Sequence, residues 1–395
     1  MNKTLILILV SLCGVQTLHA QVFRLDANVE LTGATFIPST EPERNINTNF
    51  RDDDPFNPVR GKLFSHIRLN DVFGIEGEFL FDNKAKKFDH SRNQQFRIDG
   101  LFAFAHGLLD NRLNFWLGKI PTPIGTFSPR SYSHVDPLIG YPLAYQYKVP
   151  YNAFILSSES SNLRLRDNNF GAATSIYEAC WITGLSIFGA VEGIDYMITI
   201  GRGTLTNPEA SENKGFQLAG RVGRKFGDTF EAGVSAGIAP YLQHDNNLPT
   251  GVEIRDPKHV IVGVDARVYL ANLRLFVEAF LNSWDTPQYT FEKTIRAYTG
   301  YVEGQYFLLP TLYVVARIDQ MLYDDITDPS TGKKTPWGYN VMRIEAGVGF
   351  RPVPELLLKG VVQYNTLDNP IGKKITILAL QTAFNFKDVQ TLVGL

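Results

Sequence analysis

The sequence predicts an all-β chain: a transmembrane, up-and-down antiparallel β-barrel of about 16 strands with one long, inward-folded loop. Three observations predict it. Apolar residues recur with a period of two through segment after segment. Short and long connections between those segments alternate without a break. No stretch after the N-terminus approaches the ~18 consecutive apolar residues of a membrane helix, so any crossing is made by strands.

The first 20 residues stand apart. Lys3 is their only charged residue, Leu5 to Val10 and Leu12 form a short apolar run, and Ala20 closes it before Gln21. Such a run is too short to span a bilayer and fits a cleavable signal peptide, residues 1–20, leaving 21–395 as the exported barrel. Of the two cysteines, Cys13 lies in this leader and Cys180 remains alone, so no internal disulfide is expected.

The period is clearest late in the chain. Val260, Val262, Val264, Ala266, Val268 and Leu270 form one face, against Asp265 and Arg267 on the other. Leu273, Leu275, Val277, Ala279 and Leu281 oppose Arg274, Glu278 and Asn282, and Met342, Ile344, Ala346, Val348 and Phe350 oppose Arg343 and Glu345. Side chains alternate across a strand, so each segment has a lipid-compatible face and a polar one. The same pattern is expected near 22–36, 59–69, 73–82, 94–107, 111–119, 181–191, 194–203, 214–225, 228–240, 295–308, 311–323, 355–366 and 375–386. Links at 70–72, 108–110, 192–193, 226–227, 271, 309–310 and 352–354 are short, and the connections between them are long and polar. A membrane barrel has tight turns at one rim and long loops at the other, which a soluble sandwich has no reason to keep. Keeping that order requires Phe170 to Glu178 to belong to the preceding loop. Aromatics including Phe23, Phe36, Phe79, Phe115, Tyr196 and Phe386 are expected on the apolar face as a girdle.

By the same parity the opposite faces carry charges of both signs in equal number, and a water-filled lumen hosts these cheaply. Arg267, Arg274, Arg317 and Arg343 are expected to line the pore with Glu278 and Glu345, although salt bridges between neighbouring strands are the plainer account of them. The loop of about 120–180 is rich in proline and tyrosine and is expected to pack into the barrel mouth as a constriction. The stretch from Lys119 to Asn169 holds the charged candidates Lys119, Arg130, Lys148, Arg164, Arg166 and Asp136, and with Glu159 and Asp167 its positive surplus of two mildly favours anions.

Phe115-Trp116-Leu117-Gly118-Lys119 followed by Pro121-Thr122-Pro123-Ile124-Gly125-Thr126-Phe127 resembles the passage from fifth strand to loop in bacterial outer-membrane porins. Arg166-Asp167 with Phe170-Gly171 resembles the exit of the constriction loop in the porin O and P group, the phosphate-selective porins. The resemblance implies a sixteen-stranded homotrimeric channel in a Gram-negative outer membrane. That group has a funnel of many lysines and arginines, which this loop lacks, so phosphate selectivity is not expected.

Other chemistry is not indicated. The formal net charge of −2 offers no basic excess for nucleic acid. The seven histidines are scattered, so no metal or other cofactor is expected. Asp52-Asp53-Asp54 reads as a solvated acidic loop rather than a calcium site. Ser133-His134 with Asp136 are too close in sequence to face one another as a triad, so no enzyme activity is expected. The expected function is a passive channel for small hydrophilic solutes or anions, with outer-membrane lipid around it. The alternative is a closed, surface-binding barrel acting through its outer loops.

Overall fold

The computed structural model describes residues 22–37, 59–83, 96–146, 175–206, 215–242, 250–286, 294–327, 332–368 and 374–389. Sixteen antiparallel strands close into a barrel. They are β1 (Val22–Ile37), β2 (Val59–Arg68), β3 (Phe73–Asp82), β4 (Phe96–Leu108), β5 (Leu113–Ile120), β6 (Ile182–Val191), β7 (Ile194–Arg202) and β8 (Phe216–Phe226). Then come β9 (Phe230–Pro240), β10 (Lys258–Leu270), β11 (Leu273–Asp285), β12 (Thr294–Leu309) and β13 (Leu312–Tyr323). A small hairpin, β14 (Asp325–Thr327) and β15 (Lys334–Pro336), sits apart from the wall, and β16 (Val341–Val353), β17 (Leu356–Leu367) and β18 (Lys374–Phe386) complete it. Each barrel strand pairs with its neighbours in order, and β18 closes on β1 from Ala27 opposite Phe386 to Ile37 opposite Thr376. Closure leaves no strand edge unpaired, which is the condition for a sheet to sit in hydrocarbon.

The expected alternation of short and long connections is present. The β6–β7 link is the two residues Glu192 and Gly193, with φ of 52° and 79°. Both positive values belong to the tight hairpin turn that matches the twist of paired strands. The next short link centres on Gly227, with φ of 65°. Among the described residues no strand lies between Ile120 and Ile182, so Tyr177 and Glu178 belong to the long loop.

The two faces separate as the period requires. Val264 pairs with Val234, Val234 with Val222, and Val222 with Tyr196, forming one apolar row across β10 to β7. Val222, Val234, Val264, Val277, Ile318, Ile344, Val362 and Leu380 are exposed large apolar residues on this outer surface. Water does not favour so continuous an apolar belt, whereas lipid does. Phe36 is a correction to the expected girdle: it is buried in the apolar cluster inside the barrel with Ala34. It shares the even parity of Asp26 and Glu30, so the strand pleat turns it inward.

Candidate functional site

The long loop folds into the barrel, as the sequence predicts. It leaves β5 through Pro121 and Pro123, makes a single 3₁₀ turn at Ser128–Arg130, and forms one helical turn at Leu143–Gln146. Its two limbs are tied together where the Ile176 and Glu178 N–H groups donate to the Ala144 and Tyr145 carbonyls, at 2.8 and 3.0 Å. Gly125 allows the first bend. Its φ is 64°, and a Cβ there would lie 2.3 Å from the Tyr145 hydroxyl. Phe127, Leu138, Leu143 and Tyr145 are fully enclosed, so the loop has a core of its own against the wall.

Polar contacts then fix the loop to one side of the barrel. Glu278 of β11 accepts from the Thr126 N–H, from the Thr126 hydroxyl at 2.7 Å and from the Tyr145 hydroxyl at 2.5 Å. Arg130 donates to Glu303 at 2.8 Å and to the Tyr301 hydroxyl at 3.1 Å, with its guanidinium 3.6 Å from the Phe276 ring centre. The register sets Arg317 of β13 between Glu303 of β12 and Glu345 of β16. Arg317 donates to Glu303 at 3.2 Å, Asp319 at 3.1 Å, Glu345 at 2.8 Å and the loop carbonyl of Gly140 at 2.5 Å. Arg343 reaches the Tyr141 carbonyl at 2.7 Å. Lys359 of β17 donates to the carbonyls of Ser133, Asp136 and Leu138 at 2.9, 3.0 and 2.7 Å.

These contacts correct the expected pore lining. Glu278, Arg317, Arg343, Glu345 and Asp136 point inward but are buried beneath the loop, each 1% exposed or less, rather than bathed in a lumen. A buried charge survives only when paired and hydrogen-bonded, and nearly every one here is. Lys119 is a second correction. It shares the face of β5 that carries exposed Leu117, and its ammonium is bonded to the Ile98 carbonyl of β4, so it lies on the outer surface. Arg267 does face the interior, paired with Glu231, and Arg274 is exposed with its guanidinium 4.7 Å from the Phe307 ring centre. Lys148, Arg164 and Arg166 lie outside the described residues, as does Asp52-Asp53-Asp54. The Ser133 hydroxyl donates to Asn28 at 2.9 Å and is not aligned on His134. The Cys180 thiol is buried and donates to the Thr204 carbonyl at 2.6 Å.

Burial shifts two groups on the loop. It pushes the Asp136 carboxyl up to about 7, with nearby Glu303 adding to the rise, and holds the His134 imidazole down at about 4, with Arg351 and Lys359 adding to the fall. For Asp136 the folded state holds its proton more tightly than the unfolded chain does. Its contribution to stability is therefore present below pH ~4 and lost as pH rises through ~7. We expect Asp136→Asn to gain stability relative to wild type over that interval, by about 4 kcal/mol at most. Urea unfolding in lipid vesicles at a series of pH values measures this, and a constant difference across the series refutes it.

The loop leaves the other side of the interior open. A cavity of about 930 Å³ lies between the loop segment Pro121–Pro129 and the inner faces of β1 to β8, with β10 at its edge. Arg24, Arg68, Asp195 and Arg267 line it near the short-turn rim. Arg221 spans its floor to Asp195 at 2.9 Å and Asp265 at 2.6 Å. It passes over Gly223 and Gly233, where a Cβ would come within 2.7 and 2.5 Å of the guanidinium nitrogens. None of this cavity's aromatic wall was expected from the sequence.

No protein-family profile matches the chain, and no curated protein matches it. Solved structures do. An OmpF from Salmonella typhi in complex with daunomycin aligns with TM-score 0.57 and 12% identity over 92% of this chain and 97% of that one. A loop L8 deletion mutant of OmpT, an outer membrane protein of Vibrio cholerae, gives TM-score 0.56 and 13% identity over 93% and 100%. An anion-selective porin from Comamonas acidovorans gives 0.55 and 10% over 92% and 99%. The chain therefore shares its barrel fold with these proteins over 92–93% of its length.

Proposed function

We propose that the chain is a passive outer-membrane channel for small hydrophilic solutes and ions. The observation that carries this reading is the cavity inside a closed, apolar-belted barrel, bounded on one side by an inward loop and reaching the short-turn rim. A loop docked this firmly narrows the lumen without filling it, which is how a barrel sets a size limit. Ion preference is weak in this reading, because Arg130, Arg221, Arg267 and Arg317 each sit against carboxylates and cancel locally. With Lys119 on the outer surface and Glu178 in the loop, residues 120–180 carry four positive and four negative side chains, so the slight tilt toward anions rests on the likeness to a porin named as anion-selective. The likeness to an anion-selective porin and to an outer membrane protein in trimer form supports a homotrimer in the outer membrane, and the short apolar run closed by Ala20 supports delivery there by a leader at residues 1–20.

Planar-bilayer recording tests the reading. Purified, folded protein is expected to give steady ohmic steps, with a reversal potential of only a few millivolts under a salt gradient, of the sign for anions. Silence from folded protein refutes the channel and favours the closed surface-binding barrel. A large cation-signed potential refutes the weak anion tilt alone.

A further inference from the structure

The inner face of β2 to β6 is not what ions in water require. Phe102 and Phe104 of β4, Trp116 of β5 and Phe188 of β6 all turn inward there, with His66 and His106. They form one continuous cluster of rings, some stacked and some tilted. Trp116 lies 4.6 Å from Phe188 and 5.0 Å from Phe102, Phe104 lies 4.4 Å from His106, and the Trp116 indole N–H donates to His106 at 2.9 Å. That last bond fixes the indole's orientation and satisfies its polar atom, so its surface toward the cavity is apolar. Across the cavity the loop offers Pro121, Pro123, Ile124 and Pro129. The space between is a slot with apolar walls on both sides, of a volume typical of small-molecule sites.

We propose that this slot is a recognition subsite for planar aromatic carboxylates passing through the channel, an inference that rests on the channel reading above. Two observations choose this class. The hydroxyls along the loop side of the slot are already engaged: Thr122 donates to the Cys180 carbonyl, Thr126 to Glu278, and Ser128 to the Glu178 carbonyl. Between the aromatic cluster and the loop prolines a sugar's hydroxyls would meet few partners, the carboxylates of the lining standing on other strands, whereas an aromatic ring needs none. At the short-turn rim of the same cavity stands Arg68, exposed and without an ion pair among the described residues. The other cations of the lining are matched: Arg24 by Asp26, and Arg221 by Asp195. Arg68 is the group left in the lining to receive a carboxylate, on the same inner face as the ring cluster, which begins two strands away at Phe104.

Benzoate, acetate and glucose added in turn to the conducting protein in a planar bilayer test the proposal. Benzoate at millimolar concentration is expected to interrupt the current, with acetate and glucose leaving it steady. Trp116→Leu is expected to weaken the benzoate block about tenfold, the loss of one stacking surface. Arg68→Gln alters an exposed side chain and keeps the fold. It is expected to remove the preference for benzoate over benzyl alcohol. Ohmic steps without interruption by benzoate, equal effects of acetate or glucose, or a block untouched by both substitutions each overturn the subsite while leaving the channel standing. Absence of any conductance overturns the channel and the subsite with it.

Discussion

Arg317→Met is expected to destabilise the barrel by about 3–5 kcal/mol. The substitution keeps an unbranched apolar stem and removes the guanidinium that, among the described residues, joins Glu303, Asp319 and Glu345. Three carboxylates would remain in a space that water does not reach, with Arg343 and Arg130 at their edges. Part of the loss would come from Gly140, whose carbonyl accepts from Arg317 at 2.5 Å and would have no replacement donor. Urea unfolding in vesicles measures the change. Combining Arg317→Met with Glu303→Gln and Glu345→Gln should recover a good part of it, since the cost arises from unmatched charge rather than lost volume. A triple variant as weak as the single one refutes that account.

The second large effect is on the pore rather than the wall. Lys359→Met removes the ammonium that gathers the carbonyls of Ser133, Asp136 and Leu138. Each carbonyl is left buried without a donor, at about 1–3 kcal/mol apiece unless the segment moves. Movement is the cheaper outcome, because the strands pair independently of the loop while residues 133–138 are held here chiefly by this one side chain. Tyr313 and Arg351, which bond the Pro137 and His134 carbonyls at 3.1 and 2.9 Å, remain as weaker anchors. The expected result is a noisier current with larger steps at little cost to barrel stability. Steps of unchanged size with a large fall in stability would show that the lysine acts on the wall instead.

The barrel itself was legible from residues, and the reason is local. Val260 to Leu270 alternates so regularly that face and length follow from the pleat alone, and the structure places β10 at 258–270. The inward direction of Arg317, Arg343 and Glu345 was equally legible. What they meet was not, because Gly140 and Tyr141 are 177 and 202 residues away in sequence from the arginines they join. Parity shows which way a side chain points but not whether water or protein waits there. Lys119 and Phe36 are different, since counting from Phe115 places Lys119 outward and counting from Asp26 places Phe36 inward. The aromatic wall left no periodic signal at all. In β4 the run Leu101-Phe102-Ala103-Phe104-Ala105 is apolar on both faces, so nothing marks the face that looks into the cavity.

The seam between β1 and β18 has a consequence for how the chain reaches this state. Residues 27–37 find their partners only at 376–386, the longest separation in the wall. Until the last strand arrives, both β1 and β17 present an open edge of unpaired backbone groups beside long apolar faces. Such an intermediate has the features of an aggregating one, and its final pairing is of the slow, non-local kind. Docking of the loop draws on both sides of that seam, since Ser133 bonds Asn28 of β1 through its hydroxyl and Lys359 of β17 through its carbonyl, so the loop is fully seated only when the seam is shut. Folding is therefore expected to end in one late, concerted step in which loop docking and strand closure complete together, and slowing either should slow both.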